Sequence, residues 1–142
     1  LSIKAEGDLE VDLHHTVEDV GIAIGEVLKE SLGDKTGVCR FASAIVPLDE
    51  ARVEVALDLS GRPFLVYEVD PLAEWIGTFD PQLCEEFWRA LVVAAGITLH
   101  IRNEAGKNGH HIIEASFKAV AVALRDAVRI DGKAVPSTKG KL

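Results

Sequence analysis

Apolar residues along the chain keep two different rhythms. Val17, Val20, Ile24, Val27, Leu28 and Leu32 recur at helical spacing, which predicts a helix from about Thr16 to Leu32, closed by Gly33 with Asp34-Lys35 continuing the turn. Gly21 and Gly25 fall inside it and each costs stability relative to alanine, so they point to close packing against a neighbour. Residues 37–47 and 51–59 read as strands, the second with Val53, Val55, Leu57 and Leu59 on one face, and Pro47-Leu48-Asp49-Glu50 turns between them. Ser60-Gly61-Arg62-Pro63 leads into a third strand, Phe64 to Val69. Asp80-Pro81 opens a helix that reaches about Ala95 and stops at Gly96. Ile97–Arg102 is a further strand, and residues 106–109 form a loop into a last helix, Ile112 to Val128, expected to bury Ile113, Phe117, Val120, Ala121 and Leu124. Residues 1–6 and 9–13 alternate and read as strands around a Gly7-Asp8 turn, while 136–141 reads as a flexible loop. The order predicts an α+β fold with helices over one face of mainly antiparallel four-stranded sheets.

One pattern occurs twice. His14-His15-Thr16-Val17-Glu18 and His110-His111-Ile112-Ile113-Glu114 each open a predicted helix, and residues 1–32 align with 97–128 at a constant offset of 96 without a gap. Ala23/Ala119 and Leu28/Leu124 are identical across the alignment, and Leu1/Ile97, Ile3/Leu99, Asp8/Glu104 and Lys29/Arg125 are conservative. A duplicated half-domain is the expectation: residues 1–35 are the remainder of a first repeat, and 36–142 are a complete second repeat plus a tail, in one structural domain. The chain contains no methionine, and the second unit is preceded by strands and a helix that the first lacks, so a comparable upstream segment is expected in the natural protein.

Composition narrows the function. A net charge of −8 argues against a nucleic-acid surface, while leaving room for a local basic pocket that binds a small anion. No apolar run approaches the ~18 residues of a membrane span. Cys39 and Cys84 are expected to be reduced, buried fillers in a cytoplasmic protein. The glycine loops of dinucleotide and P-loop sites are both missing.

The histidine units carry the chemistry. Residues four apart share a helix face, so His14 with Glu18 and His110 with Glu114 can each clasp one ion. Adjacent side chains on a helix diverge by about 100°, so His15 and His111 suit a second metal or a substrate. Each unit supplies too few ligands for a closed site; two units combined, within a chain or between chains, give imidazole-rich sites with carboxylate that suit Mn, Fe, Ni or Zn. A lone His-His pair is more often surface or capping chemistry, but a packed core has no need of the same polar triplet in both halves. His100, aligned with Lys4, reads as structural.

These phrases, GDLEVDLHHTVEDVGIAIGE (7–26), PLDEARVEVALDLSGRP (47–63), GITLHIRNEAGKNGHHIIEASFKA (96–119) and VPSTKGKL (135–142), resemble the imidazoleglycerol-phosphate dehydratase family over essentially the whole chain. The resemblance implies a duplicated fold similar to domain 2 of ribosomal protein S5, and trimers assembled into a 24-mer with sites between subunits. It implies two Mn2+ ions per site on His14, His15, Glu18, His110, His111 and Glu114. It also implies that Arg40, Arg62, Lys118, Ser137 and Lys139 hold the substrate, chiefly its phosphate, and that Asp49 and Glu50 line the site. Two family features, an upstream Asp-His-Met-Leu motif with a ligand histidine and a further glutamate, have no counterpart here, so this chain is expected to be weakly active or inactive. Glu86 stands where many relatives have histidine; it is a candidate carboxylate ligand or an ordinary surface-helix residue. Leu48 replaces a usual methionine.

The implied reaction converts D-erythro-imidazoleglycerol phosphate into imidazole-acetol phosphate. Two metals, one on each ring nitrogen, would stabilise an imidazolate that expels the hydroxyl, with Glu18 and Glu114 available for proton transfer. Two rivals use the same residues: a metal-dependent hydrolase, and a noncatalytic assembly in which metal only joins subunits.

Overall fold

The computed structural model describes residues 2–69, 75–140 and 142; Leu1 of the first expected strand and Lys141 of the tail lie outside the described residues. Helix α1 spans His14–Leu32, strands β1 Phe41–Leu48, β2 Ala51–Asp58 and β3 Phe64–Glu68, helix α2 Leu83–Ala95, strand β4 Thr98–Ala105 and helix α3 Gly109–Ala127. The sheet order is β1-β2-β4-β3, with both β2 pairings antiparallel and β3 parallel to β4. This is the expected α+β arrangement, mainly antiparallel.

The core forms where the period-two pattern meets the helices. Val53, Val55, Leu57 and Leu59 are buried as their alternation requires, beside Leu99 and Ile101 of β4. Full burial of each such side chain stabilises the fold by about 1.5–3 kcal/mol. α3 lies over β1 and β2, α2 contacts β3, and α1 packs chiefly against α2. The two α1 glycines make that last contact possible. A Cβ on Gly25 would sit 2.6 Å from the Leu91 carbonyl oxygen, and one on Gly21 2.7 Å from that of Phe87.

Several expectations are corrected. Residues 2–13 form no strand; a turn closes from Val11 N–H to the Asp8 carbonyl, and no neighbouring strand among the described residues takes up their backbone groups. The first sheet strand begins at Phe41 rather than 37, because residues 37–40 are committed elsewhere. Val38 bridges Ile130, the Cys39 and Arg40 amides donate to Arg129 and Ala127, and Arg40 is left-handed at φ 75°. The second helix begins at Leu83, since Asp80 caps a preceding turn by accepting from Gln82 N–H at 2.9 Å. The buried face of α3 is Ile112, Ala115, Ser116, Ala119, Val120, Ala123 and Ala127, so of the expected set only Val120 is buried: Phe117 and Ala121 are exposed and Ile113 and Leu124 half-buried. Small alanines let the helix lie close on the sheet, while Phe117 reaches sideways to Trp88, with ring centroids 4.5 Å apart. Cys84 is a buried filler as read, but Cys39 is half-buried and its Sγ lies 3.1 Å from Asp131. The loop expected over 136–141 is anchored at its start: Arg40 Nη1 donates to the Pro136 carbonyl, just after a Gly37 N–H donation to that of Ala134.

Candidate active site

Both histidine units sit on the first turn of a helix, and the same side-chain position starts each one. Asp12 Oδ1 accepts from His14 N–H at 2.8 Å, and Asn108 Oδ1 from His110 N–H at 2.9 Å. Asp12 and Asn108 occupy equivalent positions at the offset of 96, a signal present in the sequence but not read from it. Asn108 also starts α3 earlier than the apolar pattern indicates.

Within the second unit, His110 Nε2 lies 3.0 Å from Glu114 Oε2, so the i,i+4 pair closes as helical geometry requires. Lys118 Nζ lies 2.7 Å from the other Glu114 oxygen, and that ammonium, then His110, holds the carboxyl below its ordinary range. His111 points elsewhere. Its Nδ1 is 2.8 Å from Glu50 Oε2 and its Nε2 3.7 Å from Asp49 Oδ2. Glu50 also accepts from the Lys107 and Asn108 amides. His111 and these amides hold the Glu50 carboxyl at about 2, and Glu50 in turn raises His111 above the usual imidazole range. A carboxylate on one ring nitrogen fixes the orientation of the other, the usual support for a ligand histidine.

The first unit is looser. His14 Nε2 stands 3.9 Å from Glu18, and His15 Nδ1 3.7 Å from Asp8. The ring centroids of each adjacent pair lie 6.2 Å apart, so neighbouring imidazoles diverge. Glu86 of α2 shares a groove of about 410 Å³ with Glu18, Glu26 and Arg89, and so faces the first unit. Among the described residues no three histidine, cysteine, aspartate or glutamate side chains converge to enclose a metal ion. The donors present, imidazole nitrogen and carboxylate oxygen without thiolate, fit a divalent transition metal in type, but as half-sites that would need further ligands.

A second constellation lies at the far end of the β1–β2 hairpin. Arg40, Ser60, Gly61, Arg62, Ser137 and Lys139 line a cleft of about 860 Å³. The structure thus brings together Arg40, Arg62, Ser137 and Lys139, while Lys118 stays with Glu114. Arg40 Nε and Nη2 donate to the two Asp58 oxygens at 2.7 and 3.1 Å, and Arg62 Nη2 stands 3.8 Å from the same carboxylate. Ser60 Oγ accepts from Arg62 N–H at 3.0 Å, which shapes the turn. Sequence reasoning missed Asp58 and Ser60; the available signal was their place beside an arginine-bearing turn, where two cations need an anion and a tight turn needs a hydroxyl. Three guanidinium donors of Arg40 are taken and two remain to meet a ligand.

Arg40 and Asp58 sit at one end of the hairpin and Asp49 and Glu50 at the other. An eight-residue strand between them places cleft and His111 roughly 25 Å apart.

The family model described as imidazoleglycerol-phosphate dehydratase matches residues 1–124. The chain is 56% identical over 144 residues to the imidazoleglycerol-phosphate dehydratase of Alkaliphilus metalliredigens, covering 100% of this chain and 74% of that one. It is also 56% identical over 143 residues to that of Acidothermus cellulolyticus, covering 100% and 69%. The crystal structure of the Staphylococcus aureus imidazoleglycerol-phosphate dehydratase superposes with a TM-score of 0.84 at 43% identity, covering 90% of this chain and 72% of that one. With the paired histidine units and the arginine-lined cleft, these likenesses show that the chain belongs to the imidazoleglycerol-phosphate dehydratase family of hydro-lyases.

Proposed function

We propose that the protein dehydrates D-erythro-imidazoleglycerol phosphate to imidazole-acetol phosphate in histidine biosynthesis, in the cytoplasm, as a homo-oligomer of trimers assembled into a 24-mer. In this reading each site takes its anion cleft and its histidine units from different subunits. The observation that carries the reading is the separation of roughly 25 Å between the cleft and His111 within one chain. Three carbons and an ester oxygen separate the substrate's ring from its phosphorus, so the two ends lie within roughly 8 Å of each other. The cleft and His111 of one chain therefore do not serve the two ends of one substrate.

Within such a site Arg62, Ser137 and Lys139, with the free donors of Arg40, hold the phosphate and so fix the reacting carbons by a remote handle. His14, His15, Glu18, His110, His111 and Glu114 are the residues that would hold Mn2+, with Glu86 a further carboxylate facing the first unit. When bound, that metal supplies Lewis-acid stabilisation of negative charge on the imidazole ring. In this reading Glu18 and Glu114 accept or return a proton at their carboxylate oxygens, while Glu50 and Asp49 orient His111. The test is Mn2+-dependent turnover by the full-length protein and by its His15→Ala and Arg62→Gln variants. Loss of kcat in the first and a raised KM in the second are expected. Full activity in His15→Ala would refute the assignment.

A further inference from the structure

A lysine lies under the floor of the anion cleft. Lys35 is only 7% exposed, and its Nζ donates to the Leu59 carbonyl at 2.9 Å. A Cβ built on Gly61 would stand 3.8 Å from that Nζ, so the buried ammonium lies next to the Gly61 that lines the cleft, without lining it itself. Among the described residues it has no ion-pair partner within 4 Å; the nearby carboxylate, Asp58, is taken by the Arg40 fork and faced by Arg62. The side-chain charges around the cleft are thus Lys35, Arg40, Arg62 and Lys139 against Asp58 alone. A buried ammonium with one neutral acceptor is costly to hold. Burial depresses the Lys35 pKa and the Asp58 charge only partly restores it.

We infer that Lys35 is an anion-binding residue that acts from beneath the cleft, its buried charge compensated by the substrate's phosphate through the Gly61 floor. This rests on the reading of the cleft as the phosphate site. Lys35 touches no reacting atom; it positions and attracts the handle. Its reach is electrostatic, and a charge held at this depth in a partly desolvated wall is worth about tenfold in affinity for a phosphate.

The assay is inhibition of the assembled, metal-replete enzyme by inorganic phosphate, alongside KM and kcat. Lys35→Gln keeps a donor for the Leu59 carbonyl and removes the charge. It should weaken phosphate inhibition and raise KM about tenfold, with kcat and inhibition by free imidazole little changed. Lys35→Arg, which keeps the charge, should retain phosphate inhibition. Wild-type phosphate inhibition in Lys35→Gln, with weakened inhibition in Arg62→Gln, would overturn the inference and leave the cleft reading standing. Unchanged inhibition in Arg62→Gln as well would overturn both. Should Lys35→Gln fail to fold, 15N-lysine spectra of the wild-type protein decide: the Lys35 Nζ resonance should move on addition of inorganic phosphate, and a resonance that stays put refutes the role.

Discussion

The separation between cleft and histidine unit can be tested by mixing two crippled subunits. Two independent rulers give the same distance. β1 has eight residues at about 3.3 Å each, roughly 25 Å. α3 runs alongside for 19 residues at about 1.5 Å each, roughly 28 Å, from the His110 end to Ala127, whose carbonyl accepts the Arg40 amide at 3.0 Å. A substrate spanning roughly 8 Å cannot bridge either length. Arg62→Gln removes the cleft's exposed guanidinium, and His111→Ala removes an imidazole of the proposed metal site at the other end; at substrate concentrations far below the raised KM of the first, each alone should be nearly inactive. If every site draws cleft and His111 from different chains, a random one-to-one mixed assembly holds both intact parts in about a quarter of its sites. Co-expression or refolding of the two variants together should therefore restore about a quarter of wild-type turnover. If one chain supplied both parts, every site in the mixture would carry one lesion. Turnover that stays at the level of the separate variants, in particles shown by native mass to be mixed, would refute the shared-site geometry.

Three further outcomes follow from the packing and charge around these sites. Gly25→Ala should gain about 1 kcal/mol of helix propensity yet lose more, about 1–3 kcal/mol, to overpacking against the Leu91 carbonyl and Ala94 Cβ, 2.6 and 2.7 Å from the new atom. Urea unfolding should show net destabilisation, and a more stable variant would show that α2 yields freely. Asp58→Ala should cost about 3 kcal/mol, because it strips the fork from a mostly buried Arg40 and leaves that charge uncompensated. Denaturant midpoints would show it, and a cost no larger than that of an exposed pair would mean that water reaches Arg40. Glu50→Ala should change the pH dependence of stability. Glu50 titrates at about 2 when folded against 4.5 when free, so its contribution is present above about 4.5 and fades as pH falls toward 2. His111 is raised above 6.5, so its contribution is complete below 6.5 and fades as pH climbs through the raised value. The deficit of the variant should peak between those limits, and a deficit that does not vary with pH would contradict the pairing.

The parts of the fold that follow from local pattern were legible. Alternation along β2 located its buried face, Gly96 ended α2, and the paired glycines of α1 marked a close helix contact. Where a neighbour decides, the pattern misled. The largest apolar residues of α3 predict one phase for it, yet the sheet selects its alanines and leaves Phe117 to the aromatic pair on α2. Residues 2–13 alternate like strands, but alternation says which face is apolar and not whether a partner backbone is present.

The site shows the same division at a larger scale. Helical spacing alone brings His110 to Glu114, because i and i+4 meet on any helix. The Arg40–Asp58 fork needs the register of a hairpin, which sets Phe41 opposite Asp58 and so carries the preceding arginine to the carboxylate. The same register sends Glu50 to the opposite end, where it can clip the amides before α3 and orient His111. One antiparallel pair therefore organises both constellations and keeps them apart. Its length, rather than any residue within either constellation, is what the proposed sharing of one substrate between chains rests on.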